Sequence, residues 1–244
     1  MTETRREPLP PPGAAPLAED AGPYGCALPS QSRPDWPREF GRGLLQQRLH
    51  LEVGPGRGGF ALDLSQAHPE LDLVAIETRR SDCEEIRRRA QRRGLANLIV
   101  LQGDAKLLLP RCFAPGELAA LHVQFPDPWW KKRHHKRRMV DVELAALARL
   151  LLREGGEVDF RTDVPAYAEE ALRTWEGAGF RNLDGALALW SGAPEVLSTR
   201  ERRYLVTGQP VYRARFVNPG PPREGEALPT PARTGREWTG TRRK

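Results

Sequence analysis

Residues 51–60, Leu-Glu-Val-Gly-Pro-Gly-Arg-Gly-Gly-Phe, form a glycine-rich segment that continues a short apolar run at Leu49–Val53. Glycine permits a tight turn and a close approach of the backbone to a ligand, and a helix directly behind the turn offers its N-terminus. The glycines at positions 54, 56 and 59 have the GxGxxG spacing of dinucleotide-binding loops. A glycine turn without a ligand has the same spacing, so the glycines alone leave both interpretations open.

Two carboxylates near the loop favour a cationic ligand that carries a ribose. Glu52 lies two residues before Gly54, where dehydrogenase loops usually have an apolar residue. An acid there suits the sulfonium and ammonium groups of S-adenosylmethionine, whereas it would repel the pyrophosphate of a dinucleotide. Glu77 follows 23 residues after Gly54, where a carboxylate can accept both ribose hydroxyls. The pattern Glu52-x-Gly54-x-Gly56-x-Gly58 resembles the loop of class I methyltransferases.

Apolar runs alternate with amphipathic stretches along the chain, without hairpin turns between them. This alternation predicts an α/β fold of parallel strands with helical crossovers. The predicted strands are Leu49–Val53, Leu71–Ile76, Asn97–Leu101, Ala119–Phe125 and Gly156–Arg161, with antiparallel edge strands at Ala186–Trp190 and Val211–Val217. The predicted helices are Gly59–His68, Arg79–Arg93, Asp104–Leu109, Asp141–Arg153 and Val164–Gly177. Ligands of such sheets lie beyond the carboxyl ends of the strands.

Composition predicts one folded domain between two tails. Prolines crowd residues 1–34 and 218–244, which have few apolar side chains, so both stretches are predicted to be disordered. Residues 35–217 form the predicted domain. The three cysteines of the whole chain are widely spaced and include no CxxC pair, which argues against a disulfide framework or a zinc site. With no signal peptide or membrane span in the sequence, we expect a cytoplasmic protein. Monomer and homodimer both stay open.

Cationic residues are concentrated in two blocks, 79–93 and 131–138, in a chain of 244 residues with a net charge of +6. A basic balance favours a polyanionic partner such as RNA. In the first block, acids between the arginines favour an exposed helix with internal ion pairs over a contact with RNA.

The second block belongs to residues 124–138, Gln-Phe-Pro-Asp-Pro-Trp-Trp-Lys-Lys-Arg-His-His-Lys-Arg-Arg. Asp127 lies at the carboxyl end of the predicted fourth strand, between prolines that restrict the backbone on both sides. We expect one of Trp129 and Trp130 to stack on a base and the other to pack in the core. The cationic run is either a solvated face or an anchor for phosphates, and its attachment to the acid favours the anchor.

The same stretch closely resembles the bacterial-type tRNA guanine-N7 methyltransferases, whose hallmark runs F-x-D-P-W-P-K-K-R-H-x-K-R-R. Trp130 departs from it, because the family generally has proline there. Four more segments resemble family motifs: Trp36–Gly41, Arg161–Asp163, Ser198–Glu201 and Gly208–Arg213. In the third, Ser198 replaces threonine and Arg200 replaces an aromatic residue. The resemblance covers about residues 36–217.

The resemblance implies a Rossmann-like, mostly parallel seven-stranded sheet with helices on both faces. It also implies S-adenosylmethionine-dependent methylation of tRNA at N7 of guanosine 46 in the variable loop, with no metal. The expected catalytic residue is Asp127, which is also expected at the cofactor with Glu52, Gly54, Gly56, Gly58, Glu77 and Asp104. The expected substrate-binding residues are Lys131, Asp163, Ser198, Thr199, Arg200 and Glu201. The expected RNA contacts are Arg133, His134, His135, Lys136, Arg137 and Arg138.

Three alternatives stay open beside this expectation. Asp104 could be only the N-cap of a helix. A nucleotide-dependent oxidoreductase would fit the glycine loop, although Glu52 and the lack of a catalytic Tyr-x-x-x-Lys count against it. A non-catalytic RNA-binding protein would fit the charge, although it would need none of the acids at 52, 77, 104 and 127.

Overall fold

A computed structural model describes residues 33–41, 48–130, 132–185, 188–189 and 196–220. The predicted tails therefore lie outside the described residues, apart from positions 33–34 and 218–220. Asn218 and Gly220 are buried, and the Asn218 side chain donates to the carbonyl oxygens of Arg149 at 3.2 Å and Leu152 at 2.6 Å. The packed part of the chain therefore extends at least three residues beyond the predicted boundary at 217.

The elements alternate as the apolar pattern predicts, and their bounds differ by at most a few residues from the predicted ones. The helices are α1 Trp36–Glu39, α2 Gly59–Ala67, α3 Arg80–Arg92, α4 Ala105–Cys112, α5 Val142–Leu151, α6 Pro165–Gly177 and α7 Thr199–Thr207. The strands are β1 Leu49–Val53, β2 Asp72–Glu77, β3 Leu98–Gln102, β4 Leu118–Gln124, β5 Leu152–Thr162, β6 Arg181–Asn182, β7 Ala188–Leu189 and β8 Tyr212–Val217. A 3₁₀ helix spans Lys132–Arg137.

The sheet has the order β3-β2-β1-β4-β5-β8-β6, with β7 paired to β8 outside this path. β1 to β5 are parallel, which confirms the mostly parallel seven-stranded sheet, and the two-residue β7 adds an eighth strand. β8 runs antiparallel between β5 and β6, so the prediction that it lies at the edge is wrong. The chain moves outward from β1 in both directions, which leaves a crevice at the carboxyl ends of β1 and β4.

Large aromatic side chains close the core beside the sheet. Trp36 is 1% exposed, stacks on Phe113 at 5.2 Å and donates its indole N–H to the carbonyl oxygen of Cys112. On α6, Tyr167 and Trp175 are fully buried. The family-like segment 36–41 therefore acts here as a packing element that fastens α1 to the end of α4.

The arginine-rich helix α3 uses its charges within the protein. Arg80 pairs with Glu84 at 2.7 Å, Arg88 pairs with Glu85, and Arg93 reaches Asp63 on α2. These contacts support the interpretation of an exposed helix with ion pairs. None of the helices in the described ranges has the length and apolar character that a bilayer crossing requires.

Candidate active site

A cleft of about 1180 Å³ opens at the carboxyl ends of β1, β2, β4 and β5. The glycine loop, the end of β2, the Pro-Asp-Pro turn and the start of α7 all line it. The cleft brings together most of the predicted site residues, although they come from six separate parts of the chain. Those that line it are Glu52, Gly54, Gly56, Glu77, Asp104, Asp127, Arg137, Arg138, Asp163, Ser198, Thr199 and Arg200.

The glycine loop takes its shape from left-handed backbone conformations. Gly54, Gly56 and Gly58 have φ values of +69°, +56° and +71°, where a side chain would be strained. Gly54 and Gly56 face the cleft, whereas a Cβ on Gly58 would lie 2.5 Å from the Ile86 side chain on α3. The third glycine therefore serves close packing between loop and helix, which does not fit its predicted cofactor contact.

Glu77 ties the glycine loop to the end of β2. Its Oε2 accepts from the Gly56 N–H at 3.0 Å, and its Oε1 accepts from the Thr78 hydroxyl at 3.0 Å and the Arg79 N–H at 2.9 Å. A carboxylate offers about four acceptor positions, so about one is left for a ligand. Contact with both ribose hydroxyls would displace one of these bonds.

Glu52 is a buried acid beside the cleft. The residue is 1% exposed, and within the described part of the chain its Oε2 has no hydrogen-bond partner. Burial raises the pKa of this carboxyl to about 8, against the opposing charge of Arg161 and with a smaller contribution from Glu77. A buried oxygen without a donor suits a cationic ligand, which would supply the missing positive charge.

Asp104 caps helix α4 and also lies at the cleft. Its Oδ1 accepts from the Lys106 N–H at 2.9 Å, which makes it the N-cap of α4, and the residue is also exposed at the cleft. The cap fixes the side chain at the third strand end without closing it to a ligand. A contact with the adenine of a cofactor stays a prediction.

Asp127 projects from a turn that is held at both ends. Phe125 before it and Trp129 after it have φ values of +50° and +45°, a region that bulky residues rarely adopt. The Phe125 N–H donates to the Arg161 carbonyl at 2.8 Å, and the Pro128 carbonyl accepts from Arg138 Nε at 2.8 Å. Two unfavourable conformations at a cleft, fixed by the surrounding structure, are typical of functional sites. The carboxylate itself is exposed to the cleft.

Arg138, the last residue of the cationic run, lies inside the protein. It is 7% exposed, pairs with Glu170 on α6, and places its guanidinium 4.9 Å from the centre of the Tyr167 ring. Together with its bond to the Pro128 carbonyl, these contacts make it an anchor of the turn that carries Asp127. This placement does not fit the predicted phosphate contact.

The 3₁₀ helix places Arg137 and His134 next to the Trp129 ring. The Arg137 guanidinium lies 5.0 Å from the Trp129 ring centre, and the His134 ring meets the same indole edge-on at 5.8 Å. Arg133 and Arg137 are exposed, as is the Trp130 side chain at 73%. Neither tryptophan is buried in the core, so the prediction of one core tryptophan is wrong. Lys131 and the side chains of His135 and Lys136 lie outside the described part of the chain.

The start of α7 packs against the glycine loop. Ser198 and Glu201 form a reciprocal capping box, and both Glu201 oxygens accept from Arg161 at 2.9 Å. Glu201 is 3% exposed and does not line the cleft, so its predicted substrate contact does not fit this placement. Thr199 lies so close to Gly59 that a Cβ there would be 2.2 Å from its hydroxyl. The substrate contacts of Ser198 and Thr199 stay predictions.

A buried charge network surrounds Arg161 near the carboxyl end of β5. Arg161 is 3% exposed and also donates to Asp159 at 2.6 Å and to the Val196 carbonyl at 3.0 Å. Burial alone would raise the pKa of Asp159, but contacts with His122 and the charges of Arg161 and Arg213 hold it far below its usual range. Sequence reasoning noticed Arg161 only as part of a motif and missed Asp159, because nothing local marks it as the partner.

Comparison with known proteins identifies the family. The family described as "Putative methyltransferase" matches residues 46–214. A protein of Anaeromyxobacter dehalogenans (strain 2CP-C) named "tRNA (guanine-N(7)-)-methyltransferase" is 55% identical over 185 residues, covering 75% of this chain and 91% of that protein. The chain belongs to the tRNA (guanine-N7-)-methyltransferase family. A protein of the same name from Myxococcus xanthus (strain DK1622) is 45% identical over 199 residues, with coverages of 81% and 95%. Membership of this methyltransferase family decides against the oxidoreductase alternative.

Solved structures show the same fold at low sequence identity. The 16S rRNA methyltransferase KamB is 20% identical with a TM-score of 0.54, over 77% of this chain and 95% of that one. An aminoglycoside resistance methyltransferase, NpmB1, gives a TM-score of 0.51 at 18% identity, over 70% and 87%. This tRNA (guanine-N7-)-methyltransferase family member therefore has the class I methyltransferase fold, as expected from its glycine loop and strand order.

Proposed function

We propose that the protein transfers a methyl group from S-adenosylmethionine to N7 of a guanine in tRNA. The observation that carries this proposal is Asp127, held on a fixed turn in the same cleft as the glycine loop and the buried acid Glu52. The curated relatives are named for this reaction. The residues that line the cleft are suited to the reaction for which these relatives are named.

The donor side of the cleft fits S-adenosylmethionine. When bound, this molecule supplies a methyl group on a positively charged sulfur. The buried Oε2 of Glu52 and the open loop backbone at Gly54 and Gly56 are suited to its cationic and polar parts. Glu77 and Asp104 line the same side and have acceptor capacity for hydroxyl and amino groups.

The acceptor side needs a positioned acid more than a base. Guanine N7 has a lone pair and no proton, so no group has to remove one before methylation. Once N7 gains the methyl group, the purine carries a positive charge, and a nearby carboxylate lowers the energy of that developing charge. Asp127 takes this role. It can also accept hydrogen bonds from the N1–H and the amino group of guanine, and adenine does not offer this pair of neighbouring donors. Holding N7 in line with the methyl group is then the main catalytic contribution.

The tRNA itself meets the exposed rim beside the turn. Arg133 and Arg137 offer charges to phosphates, and the exposed Trp130 ring offers a stacking platform for an unpaired base. Trp129, already covered by Arg137 and His134, is less free to stack. We assign the variable-loop guanosine 46 as the target and the cytoplasm as the compartment. Residues 35–217, extended by the packed residues 218–220, form the catalytic domain.

The proposed reaction is tested by incubating the full chain with methyl-labelled donor and unmodified tRNA. Borohydride and aniline treatment then cleaves the RNA at 7-methylguanosine, and we expect one cleavage in the variable loop. Label in tRNA without cleavage would show methylation at a different atom, and no label would remove the proposed function.

Replacing Glu52 by glutamine should stabilise the protein at alkaline pH and weaken donor binding. The folded-state pKa of about 8 exceeds the ordinary 4.5, so the carboxyl favours folding at low pH, and this contribution is lost as pH rises from 4.5 to 8. Glutamine does not titrate, so the variant should gain on the order of a few kcal/mol over wild type between these limits. Urea denaturation at pH 5 and pH 8.5 measures the difference, and calorimetry measures donor affinity.

Glu157→Gln is the matched control for Glu52, since Glu157 is exposed on β5. It should change neither the pH dependence of stability nor donor binding. A Glu52→Gln variant with the stability profile and donor affinity of wild type would contradict the role given to this buried acid.

Reversing the charges of Arg133 and Arg137 to glutamate should weaken tRNA binding and make it less sensitive to salt. Removing one phosphate interaction lowers the slope of log affinity against log salt by about one, so the double variant should have a slope smaller by about two. The slope is measured by filter binding of tRNA at salt concentrations between about 50 and about 200 mM, a range over which phosphate contacts change affinity strongly. Arg173→Glu, on the exposed surface of α6, serves as control, and an unchanged slope in the double variant would mean that the run is only solvated surface.

A further inference from the structure

The hydroxyl of Tyr204 donates a hydrogen bond to Asp163 across the cleft wall. The two oxygens, Oη of Tyr204 and Oδ2 of Asp163, are 2.6 Å apart. Asp163 directly follows β5, its side chain is 28% exposed, and both residues line the cleft. A hydrogen bond from a phenol to a carboxylate is short and directional, so it holds the carboxylate in one orientation.

Arg200, one helical turn earlier on α7, approaches the other oxygen of the same carboxylate. Its Nη1 lies 3.7 Å from Asp163 Oδ1, and its guanidinium lies 5.6 Å from the centre of the Phe125 ring. The Tyr204 ring meets Phe125 edge-on at 6.1 Å. α7 therefore contacts two neighbouring strand ends: Asp163 after β5 and Phe125, two residues before Asp127.

The helix that carries these groups is itself fixed. Its N-terminus has the capping box of Ser198 and Glu201, and Glu201 is joined to Arg161 of β5 by two bonds of 2.9 Å. Because the base of α7 is anchored in the interior, Tyr204 presents its hydroxyl from a rigid support. Burial, and then the hydrogen bond to Asp163, raise the pKa of the Tyr204 phenol, so it stays protonated and able to donate at neutral pH.

We propose that Tyr204 is a positioning residue that aims the Asp163 carboxylate at the acceptor nucleotide. With Oδ2 occupied by the phenol, Asp163 presents its remaining acceptor positions to the cleft in a fixed direction. This inference rests on the proposed methylation of tRNA, because it assigns Asp163 to the acceptor of that reaction. It adds Tyr204 to the residues of α7 that the sequence assigned to the substrate, a residue that no motif marked.

Tyr204→Phe tests the proposal, because it keeps the ring against Phe125 and removes only the hydroxyl. We expect kcat/KM for tRNA to fall about tenfold, as for the loss of a hydrogen bond to a charged group, with donor affinity and Tm equal to those of wild type. Tyr212→Phe is the matched control, since in the described part of the chain no hydrogen bond of its hydroxyl is found, and it should behave as wild type. A Tyr204→Phe variant with wild-type kinetics overturns the proposal.

A double-mutant cycle with Asp163→Asn separates positioning from an independent role. If Tyr204 acts through Asp163, the double variant should be no slower than Asp163→Asn alone. If the two losses multiply, Tyr204 acts on the acceptor by another route and the proposal is wrong.

A tyrosine titration, which does not depend on enzyme activity, distinguishes a failure of this inference from a failure of the proposed function. Absorbance of tyrosinate should show one tyrosine with a lower pKa in Asp163→Asn than in wild type, because the carboxylate no longer opposes ionisation of the Tyr204 phenol. Unchanged titration, with product still formed by wild type, overturns this inference alone. A wild type that forms no 7-methylguanosine defeats the proposed function, and the acceptor role of Asp163 with it, whatever the titration shows.

Discussion

Asp127→Ala should remove most of the activity that forms 7-methylguanosine while leaving donor binding largely intact. Asp127 is exposed to the cleft on a turn fixed by the bonds from Phe125 N–H and to the Pro128 carbonyl. Truncating the side chain removes the charge that stabilises the methylated purine and leaves the backbone of the turn in place. Loss of one preorganised electrostatic interaction of this kind lowers kcat by roughly 10²- to 10³-fold. Single-turnover transfer of labelled methyl to tRNA measures the effect.

Two comparisons make the Asp127 result specific. Asp127→Asn keeps the size and one acceptor oxygen of the side chain but lacks its charge. This variant should bind tRNA more tightly than Asp127→Ala and still lose most of the rate of methyl transfer. Glu169→Gln removes a carboxylate from the exposed surface of α6 and should leave the rate unchanged. Full activity of Asp127→Ala, with donor and tRNA both bound, would exclude Asp127 from the mechanism.

Arg161→Met should cost the largest amount of stability of any substitution considered for this protein. The change leaves Glu201 without its bidentate partner and leaves Asp159 with only part of its positive surroundings, both in the interior. Removing one member of a buried ion pair typically costs about 3–5 kcal/mol, because the remaining charge stays buried. Urea denaturation at pH 7 measures the loss.

The pH dependence of that loss identifies its cause. Since the folded-state pKa of Asp159 is far below the ordinary 3.8, its ionised form stabilises the fold above pH 3.8, and this contribution is lost as the pH falls further. The gap between wild type and Arg161→Met should therefore be widest at neutral pH and narrow below pH 3.8. Arg80→Met, which breaks an exposed pair with Glu84, should cost less than about 1 kcal/mol. A similarly small cost for Arg161→Met would contradict the network.

The parallel strands and the glycine loop could be predicted from the local sequence pattern. β1 to β4 are mostly apolar runs between helical stretches, and their bounds were predicted to within one residue, because burial on both sheet faces leaves a continuous apolar signal. β5 begins four residues before its predicted start, because Arg153–Gly155 are polar or glycine and are not buried. The short α1 and the exposed α7 were missed for the opposite reason. α7 buries only Glu201, so it has no apolar stripe that a helical period could reveal.

The expected site residues also fall into two groups, those whose position follows from the local sequence and those whose contacts depend on the tertiary structure. Glu52, Glu77, Asp104 and Asp127 line the cleft because each stands at or near a strand end, and the carboxyl ends of parallel strands meet at one edge. Their contacts with cofactor and substrate stay predictions. Gly58, Arg138 and Glu201 were also expected to contact a ligand, yet the Gly58 backbone packs close to Ile86, and Arg138 and Glu201 form ion pairs with Glu170 and Arg161. A motif gives residue types and spacing, and it does not give the direction of a side chain.

The sequence by itself determined the succession of the parallel strands along the chain and the end of the sheet where the cleft lies, because glycine, proline and apolar periodicity act on the backbone over a few residues. Its motifs carried the resemblance to the family, whereas the order of the strands within the sheet came from the structure. Only the tertiary structure decided what holds the site in shape. The bonds Arg161–Glu201, Tyr204–Asp163 and Arg138–Glu170 join residues 40, 41 and 32 positions apart. Such partners meet only after the sheet has formed, since the packing of β5, α6 and α7 sets the distances between them.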